Sequence, residues 1–428
     1  MRECKRGKMK NFFEPNTIAI IGASDEEGKV GYSLMKNLVD FKGKVIPVNI
    51  KHESIFGLKV YKNINDYPSN IDLAVIAIPV QFVSSVLEDC GKKKIKDVII
   101  ISAGFSEIGN FEEEKKLVEI AKKYNIRFLG PNCFGVCNPY VNLDTTFALK
   151  TPEKGNIAFI SQSGALWSYI SDFSMGQFGF SGFVSLGNMT DTGFEEFIEH
   201  FSKDEKTKSI VLYIEKLKNG KKFIDICRKC KKPIFAVKAG KSEKGSKAAI
   251  SHTGSLATSF EIYKGAFKQS NVILLNSLEE CFEKATKHNF IFKKRRINAG
   301  KKAIIITNAG GAGALMADYC SEKGIDLIDW KEKNPLDILG TAIASDYKKV
   351  FDEIKDKNFY DSVIIILTPQ KMSEIEKTAN EIIEFSKQTK KKIIACFLGG
   401  KSVSNVKEIL EKNNVVCFNT LEEARQSL

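Results

Sequence analysis

One histidine stands among small and hydroxyl-bearing residues in the stretch AAISHTGSLA, residues 248–257. Histidine is the side chain whose ordinary pKa leaves a neutral, nucleophilic imidazole available near pH 7. The small neighbours of His252 would let a bulky reactant approach its ring. An isolated histidine in a loop is also often an ordinary surface residue, so this stretch by itself leaves both interpretations open.

Three turns rich in glycine and hydroxyl groups have the composition of phosphate-binding turns. They are GASDEEGKVG at residues 22–31, SQSGAL at 161–166 and TNAGGAG at 307–313. Each follows an apolar run and precedes a helical pattern, which predicts backbone N–H groups at a helix N-terminus, where the helix dipole favours an anion. The first turn lacks the GxGxxG spacing. A tight turn, a serine helix cap or close packing of glycines would account for the same residues, and those explanations stay open here.

These turns belong to a repeating pattern of short Ile- and Val-rich runs that alternate with amphipathic stretches. Such runs are typical of strands buried on both faces, and their alternation with helices predicts an α/β fold with parallel sheets. The pattern starts anew twice, which predicts three doubly wound domains at residues 11–148, 149–291 and 303–428. We interpret the basic segment 292–302 as a linker rather than a nuclear-localisation or nucleic-acid-binding signal. Residues 1–10 are predicted to form a disordered basic tail.

The strand ends of the first domain predict a ligand crevice. In an open α/β sheet the residues that follow parallel strands line one edge. A nucleotide-like ligand would therefore meet VNIK at 48–51, IPV at 78–80, ISAG at 101–104 and GPNCFG at 130–135. An NAD-binding fold would place an acidic residue after the second strand, to bind the ribose. Asparagine and lysine stand there instead, and a cation suits a phosphorylated ribose better, which argues against an NAD-dependent dehydrogenase.

Composition narrows the classes of partner. The net charge of the 428 residues is +13, but lysines alternate with acidic residues along the whole chain, which is typical of a solvated surface rather than a nucleic-acid site. The positive charge would also favour a phosphate-rich ligand. Ten cysteines without dense spacing indicate reduced thiols, and the lone CxxC at 227–230 does not predict zinc. No apolar run approaches the ~20 residues that span a bilayer, and no secretory signal is present. We therefore predict a cytoplasmic protein without a membrane, nucleic-acid or metal partner.

About ten motifs in one order carry a family resemblance. The order is GAS, VN-x-K, IPV, SAGFSE, GPNCFGV, SQSGAL, SLGN, YIE, ISHTGSLA and TNAGGAGAL with NPLDILG. Over nearly all of residues 11–428 the chain resembles the α subunits of NDP-forming acyl-CoA synthetases, with the ADP-forming acetate–CoA ligases as the nearest branch. The succinyl-CoA synthetases are more distant and match only the first two domains. The resemblance implies a Rossmann-like CoA-binding domain and two flavodoxin-like doubly wound domains, the first of which is a ligase domain with a phosphohistidine loop.

Matching the motifs residue by residue gives the expected site. His252 matches the phosphohistidine, and Glu215, in LYIEKL, matches the carboxylate that pairs with it. The family holds the phosphoryl group at the turn that here contains Ser161, Ser163, Gly164 and Ala165. It binds CoA where this chain has Gly22, Ala23, Ser24, Lys51, Pro79, Ser102, Ala103 and Asn132. The family often has proline where this chain has Ile50.

The resemblance also implies a partner. The nucleotide-binding ATP-grasp part of these enzymes has no counterpart in the sequence, so we expect a β subunit, in an α2β2 assembly, that binds ADP or ATP with Mg²⁺. The implied reaction converts an acyl-CoA, ADP and phosphate into a small carboxylic acid, CoA and ATP. The alternative function is a CoA-binding regulatory module that keeps the fold without phosphoryl transfer. The joint presence of His252, Glu215 and SQSG argues against that alternative.

Overall fold

The computed structural model describes residues 9–253, 259–292, 295–331 and 333–428, with the backbone alone at 250–253. Met9 is buried and Lys10 begins a helix, so these two residues do not belong to a disordered tail; residues 1–8 lie outside the described part. Among the described residues no helix is long and apolar enough to cross a membrane.

The first sheet has five parallel strands, because its Ile- and Val-rich runs are covered by helices on both faces. The strand order is β2-β1-β5-β6-β7, and a small hairpin follows β2. The elements are α1 (Lys10–Phe13), β1 (Thr17–Ile21), α2 (Val30–Asn37), β2 (Lys44–Val48), β3 (Ser54–Ile55), β4 (Leu58–Lys59), β5 (Leu73–Ile76), α3 (Val80–Lys92), β6 (Asp97–Ile100), α4 (Phe111–Tyr124) and β7 (Arg127–Leu129).

The second sheet has seven strands in the order β14-β13-β12-β10-β11-β8-β9. The five later strands are parallel, whereas β8 pairs antiparallel with β11 and with β9. The elements are β8 (Val136–Asn138), β9 (Leu143–Asp144), β10 (Lys154–Ser161), α5 (Ala165–Phe173), β11 (Phe180–Ser185), α6 (Phe194–Lys203), β12 (Ser209–Ile214), α7 (Gly220–Lys229), β13 (Ile234–Lys238), α8 (Glu243–Thr253), α9 (Phe260–Gln269), β14 (Val272–Leu274) and α10 (Leu278–Thr286).

The third sheet is parallel, in the order β16-β15-β18-β19-β20, and β17 also pairs with β15. The elements are β15 (Lys302–Thr307), α11 (Gly310–Glu322), β16 (Asp326–Leu327), β17 (Leu336–Asp337), α12 (Ala344–Ile354), β18 (Ser362–Leu367), α13 (Ile375–Gln388), β19 (Lys392–Phe397), α14 (Lys401–Lys412), β20 (Val416–Phe418) and α15 (Leu421–Ser427).

The predicted α/β fold with parallel sheets is confirmed, and each Ile- and Val-rich run predicted as a strand forms one. Two details differ from the sequence-based expectation. Strands β8 and β9 precede residue 148 but pair within the second sheet. Strand pairing therefore does not mark a boundary at residue 148, and that boundary stays a prediction. Residues 248–253, expected to form a loop, are helical and end α8, because the lysines, glutamate and alanines of EKGSKAA favour a helix. Residues 254–258 lie outside the described part.

Each sheet with the helices that cover it is called a unit below. A shared apolar core packs the third unit against the second. It includes Trp167 and Phe183 from the second unit with Leu315 and Ile364 from the third. Polar contacts reinforce this packing: Asp172, near the end of α5, accepts hydrogen bonds from the first residues of α14. The two units therefore pack against each other through both apolar and polar contacts.

Candidate functional site

The residues predicted to bind CoA lie at the carboxyl edge of the first sheet, where hydrogen bonds join neighbouring strand ends. Gly22 follows β1 with φ +92°, and a Cβ there would lie 2.2 Å from the carbonyl oxygen of Ala77. Only glycine fits that turn. The side chain of Asn49 donates to the carbonyl oxygen of Ala23 (2.7 Å) and accepts the N–H of Lys51 (2.7 Å). The turn after β1 is thereby tied to the ends of both neighbouring strands.

Ser102 holds the other half of this edge together. Its hydroxyl donates to the carbonyl oxygen of Ile78 (2.6 Å) and accepts the N–H of the same residue (3.1 Å), which joins the ends of β5 and β6. Asn132, after β7, donates its N–H to the carbonyl oxygen of Ser102 (2.9 Å). Pro79 and Ala103 stand beside these contacts and are exposed. The predicted residues therefore form one continuous edge.

The same edge has the donors that a phosphate-rich ligand needs. The hydroxyl of Ser24 is buried and accepts the N–H of Glu26 (3.1 Å), so it shapes the turn. A Cβ at Gly31 would lie 1.9 Å from the carbonyl oxygen of Gly22, so the first turn of α2 packs directly on the turn after β1. The N–H groups and positive dipole end of α2 thus lie at the crevice, and the exposed Lys51 adds a cation. These groups fit CoA, whose phosphates are anionic.

One segment connects this crevice to the second sheet. A Cβ at Gly164 would lie 2.5 Å from the Cβ of Phe134, so the GPNCFG segment packs against the start of α5. The N–H of Phe134 donates to the hydroxyl of Ser185 at the end of β11 (2.9 Å). The ring of Phe134 lies 3.7 Å, centroid to centroid, from that of Phe147. The crevice and the N-terminus of α5 are therefore two sides of one site.

The SQSGAL turn is closed by its own groups. The hydroxyl of Ser161 donates to the carbonyl oxygen of Ser163 (2.7 Å) and accepts the N–H of that residue (3.1 Å). This hydroxyl therefore shapes the turn. Helix α5 begins at Ala165 with Gly164 as its N-cap. The first N–H groups of a helix have no carbonyl partner inside it, and here they begin beside Phe134.

Gln162 connects this turn to Glu215, and sequence analysis gave it no role. Its Oε1 accepts the N–H of Glu215 (2.6 Å) and the N–H of Lys216 (2.9 Å), which holds the end of β12 against the end of β10. The Glu215 side chain is buried, with 5% of its surface exposed. The structure therefore brings Glu215 and the predicted phosphate-binding turn together.

The third unit meets the site at its TNAGGAG turn. Burial, and next the charge of Glu215, raise the pKa of Tyr213 well above its ordinary value, so its phenol stays protonated beside that carboxylate. The phenol donates to the carbonyl oxygen of Gly311 (3.1 Å). A Cβ at Gly311 would lie 2.6 Å from the Cβ and the Oγ of Ser163. Close packing is thus the explanation that the structure supports for this glycine.

His252 lies in the last turn of α8, and its side chain lies outside the described residues. Helix α8 follows β13, whose last residue, Lys238, is the register neighbour of Ile214 on β12. Glu215 comes directly after Ile214. The start of α8 and Glu215 therefore share one edge of the second sheet, and the pairing of His252 with Glu215 stays a prediction.

A buried lysine at this edge was not among the predicted site residues. Lys238 has 4% of its surface exposed; its ammonium donates to the carbonyl oxygen of Ala239 and lies 4.5 Å from the ring centre of Tyr263. Burial lowers its pKa to about 8, against the opposing charges of Asp318 and Glu215. A signal was present in the sequence, since a lysine ends the otherwise apolar strand IFAVK.

Sequence analysis also did not predict Asp318, whose negative charge opposes that of Lys238. It lies in α11 with 1% of its surface exposed and accepts hydrogen bonds from the segment that leads into α8. A buried carboxylate needs such partners, since an uncompensated charge inside a protein is very costly. The single aspartate in the apolar run GALMADYC was the available signal.

Comparison with known proteins places this site in a family. A CoA binding domain matches residues 16–139, and a succinyl-CoA ligase like flavodoxin domain matches residues 154–287. The subunit alpha of acetate–CoA ligase [ADP-forming] II from Pyrococcus furiosus is 40% identical, over 96% of this chain and 94% of its own length. The chain belongs to the ADP-forming acetate–CoA ligases. Its first two units are the CoA-binding and ligase domains of that family, as predicted.

Two further relatives match nearly the whole chain. The acetate–CoA ligase [ADP-forming] of Methanocaldococcus jannaschii is 43% identical over 98% of this chain, which spans 62% of that longer protein. The solved structure of the dinucleotide forming acetyl-coenzyme A synthetase 1 of Ca. Korarchaeum cryptofilum, in complex with phosphate and ADP, is of a chain that is 34% identical. It superposes with a TM-score of 0.64 over 98% of this chain and 95% of its own. The name of the Pyrococcus furiosus relative, a subunit alpha, implies a partner subunit for that enzyme.

Proposed function

We propose that this chain is the α subunit of an ADP-forming acyl-CoA synthetase that binds CoA at the first sheet and relays a phosphoryl group through His252. The net reaction is acyl-CoA + ADP + phosphate giving carboxylic acid + CoA + ATP, and its reverse. One observation carries this proposal: Phe134 packs on the start of α5, and Gln162 ties that same turn to Glu215. These contacts support a proposal in which the predicted CoA crevice, the predicted phosphate-binding turn and Glu215 act together.

In the first step an oxygen of phosphate attacks the thioester carbonyl. The C–S bond breaks, CoA leaves as a thiolate that takes up a proton, and an acyl phosphate remains. The phosphates of CoA would lie at the turn after β1, near Gly22, Ala23, Ser24 and Lys51. The thioester arm of CoA would lie along Pro79, Ser102, Ala103 and Asn132. The N–H groups at Gly164 and Ala165 would hold the phosphoryl oxygens, with the turn shaped by Ser161 and Ser163.

In the second step the neutral imidazole of His252 attacks phosphorus. The bond from phosphorus to the acyl oxygen breaks, and the carboxylic acid leaves as its anion. The other ring nitrogen must carry a proton, and Glu215 is proposed to accept that N–H and to offset the positive charge that develops on the ring. Gln162 holds the backbone of Glu215 at the end of β10, which supports this role.

In the third step the phosphoryl group moves from His252 to ADP on a partner. We propose that this partner is an ATP-grasp β subunit that binds ADP or ATP with Mg²⁺ in an α2β2 assembly. The acid is proposed to be small, because Phe134 and Phe147 lie against each other at the start of α5. We also propose that the protein is cytoplasmic. Its proposed domains are residues 11–148, 149–291 and 303–428, with a linker at 292–302.

The proposal is tested by labelling the chain together with its β subunit, Mg²⁺ and γ-labelled ATP. The expected product is an acid-labile, base-stable phosphoprotein. His252→Asn should abolish the label, whereas His288→Asn, a matched change at an exposed histidine, should keep it. If His252→Asn labels as strongly as the parent, His252 is not the acceptor.

A further inference from the structure

The helix that carries His252 is anchored at its start by a carboxylate from the third unit. The Oδ2 of Asp318 accepts the N–H of Gly240 (2.8 Å). Its Oδ1 accepts both the N–H and the hydroxyl of Ser242 (2.8 Å each). All three donors belong to the short segment between β13 and α8. The position of α8 therefore depends on a residue that lies 76 positions beyond Ser242 in the chain.

Ser242 is the link between this carboxylate and the helix. Its hydroxyl accepts the N–H of Gly245 (3.0 Å), and its carbonyl oxygen accepts the N–H of Ser246 (2.8 Å). A negative charge at a helix N-terminus is stabilised by the helix dipole, and here Asp318 supplies that charge from another helix. A Cβ at Gly245 would lie 2.1 Å from Oδ1 of Asp318, so the first turn of α8 rests directly on α11.

The anchor is electrostatically balanced. The buried ammonium of Lys238 interacts with the charges of both Asp318 and Glu215, so one cation offsets charge on both carboxylates. A second link from α8 to the third unit, between Lys244 and Asp329 (2.7 Å), is more exposed to solvent. Exposed ion pairs contribute little, so Asp318 is the stronger of these two polar contacts between α8 and the third unit.

We propose that Asp318 is a positioning residue that holds α8 in the orientation in which His252 receives the phosphoryl group from the acyl phosphate. This inference rests on the proposed function of His252. Ten residues, about 15 Å of helix, separate Ser242 from His252. A tilt of about 10° at the anchored end would therefore move the other end by about 2.6 Å. A misplacement of about 1 Å can lower a rate about 100-fold.

The effect should differ between the two halves of the reaction. In the proposed function, transfer from acyl phosphate to His252 takes place at the turn before α5, so this step depends on where α8 holds His252. Transfer between His252 and the nucleotide takes place on the partner, where the orientation set by Asp318 has no such role. Loss of the anchor should therefore slow the first transfer much more than the second.

The test uses the complete enzyme with its β subunit. Single-turnover phosphorylation of His252 is measured by two routes, from acetyl-CoA with inorganic phosphate and from ATP with Mg²⁺. Asp318→Asn should slow the first route at least 10-fold and the second less than 3-fold. Ser242→Ala should show the same preference more weakly, and Ser242→Thr, which keeps the hydroxyl, should restore the parental rates. Asp329→Asn is the matched control and should leave both rates unchanged.

Hydrogen exchange in the substrate-free chain distinguishes a failure of this inference from a failure of the proposed function. Amides 240–247 should exchange at least 10-fold faster in Asp318→Asn, while those of β13 stay protected. If the parent takes no phosphate by either route, the proposed function fails, and the exchange result still decides whether Asp318 anchors α8. Equal slowing of both routes, or unchanged exchange at 240–247, would overturn the inference.

Discussion

A buried glutamate between the second and third units makes the stability of the chain depend on pH. Glu279, in the first turn of α10, is fully buried. Its Oε1 accepts the hydroxyl of Tyr169 on α5 (2.5 Å) and the N–H of Glu422 on α15 (3.1 Å). Its Oε2 has no hydrogen-bond partner among the described residues. Burial, with the nearby charge of Glu422 adding to it, raises the pKa of Glu279 from 4.5 to about 7.

The magnitude follows from this difference in pKa. Between pH 4.5 and 7 the folded chain keeps a proton that the unfolded chain releases, so the free energy of unfolding falls as pH rises through that window. At about 1.4 kcal/mol per pH unit, the loss reaches about 3 kcal/mol above pH 7. In Glu279→Gln the amide oxygen can still accept both hydrogen bonds, but the side chain cannot ionise. The variant should therefore be about 3 kcal/mol more stable than the parent at pH 8, and less than about 1 kcal/mol more stable at pH 5.

Thermal unfolding followed by circular dichroism at both pH values measures the effect. For a chain of 428 residues that unfolds as one unit, the unfolding entropy is about 0.9 kcal/mol per kelvin, so Tm at pH 8 should rise by about 3–4 °C. Glu119→Gln, at an exposed position of α4, is the control and should change Tm little. A lower Tm for Glu279→Gln at pH 8, or an equal rise at both pH values, would refute the reasoning.

Two further changes test the site. Gly311→Ala places a methyl group against Ser163, which should lower the free energy of unfolding by about 1–3 kcal/mol and slow His252 phosphorylation. Its control, Gly265→Ala in α9, meets no atom within 4 Å and should add about 0.5–1 kcal/mol of stability without slowing phosphorylation; equal effects of the two alanines would contradict the packing argument. Ser102→Ala removes the hydroxyl that joins the ends of β5 and β6, and should reduce the rise in Tm that CoA produces. An undiminished rise would show that this hydroxyl does not shape the CoA site.

The strands were predictable because they are buried on both faces. A run such as SVIIIL has no polar residue in its centre, and such a short, β-branched run followed by a helical pattern is typical of a strand in a parallel sheet. Strands β8 and β9 have three and two residues, and their antiparallel pairing depends on where β11 lies rather than on any periodicity of their own. Helix α8 was missed because the small and hydroxyl-bearing residues of AAISHTGSLA suggested a loop, whereas the helix begins earlier, where Ser242 caps it.

The site was predictable in part from the order of motifs. That order led to the SQSG turn and Glu215, which the structure joins through Gln162. The role of Gln162 depends on the alignment of β10 with β12, which places its amide oxygen at two N–H groups of the next strand end. Asp318 could not be paired with α8 from the sequence, because its partners come from a different unit, 76 and 78 positions away. The role of His252 stays a prediction.

The central claim is tested most directly by following labelled inorganic phosphate. The enzyme with its β subunit is mixed with acetyl-CoA and ³²P-phosphate in the absence of nucleotide, and the phosphorylated residue is identified by mass spectrometry. The account predicts label on His252, one CoA released for each phosphate bound, and transfer of that label to ATP when ADP and Mg²⁺ are added. Accumulation of free acetyl phosphate with no label on His252 would contradict it.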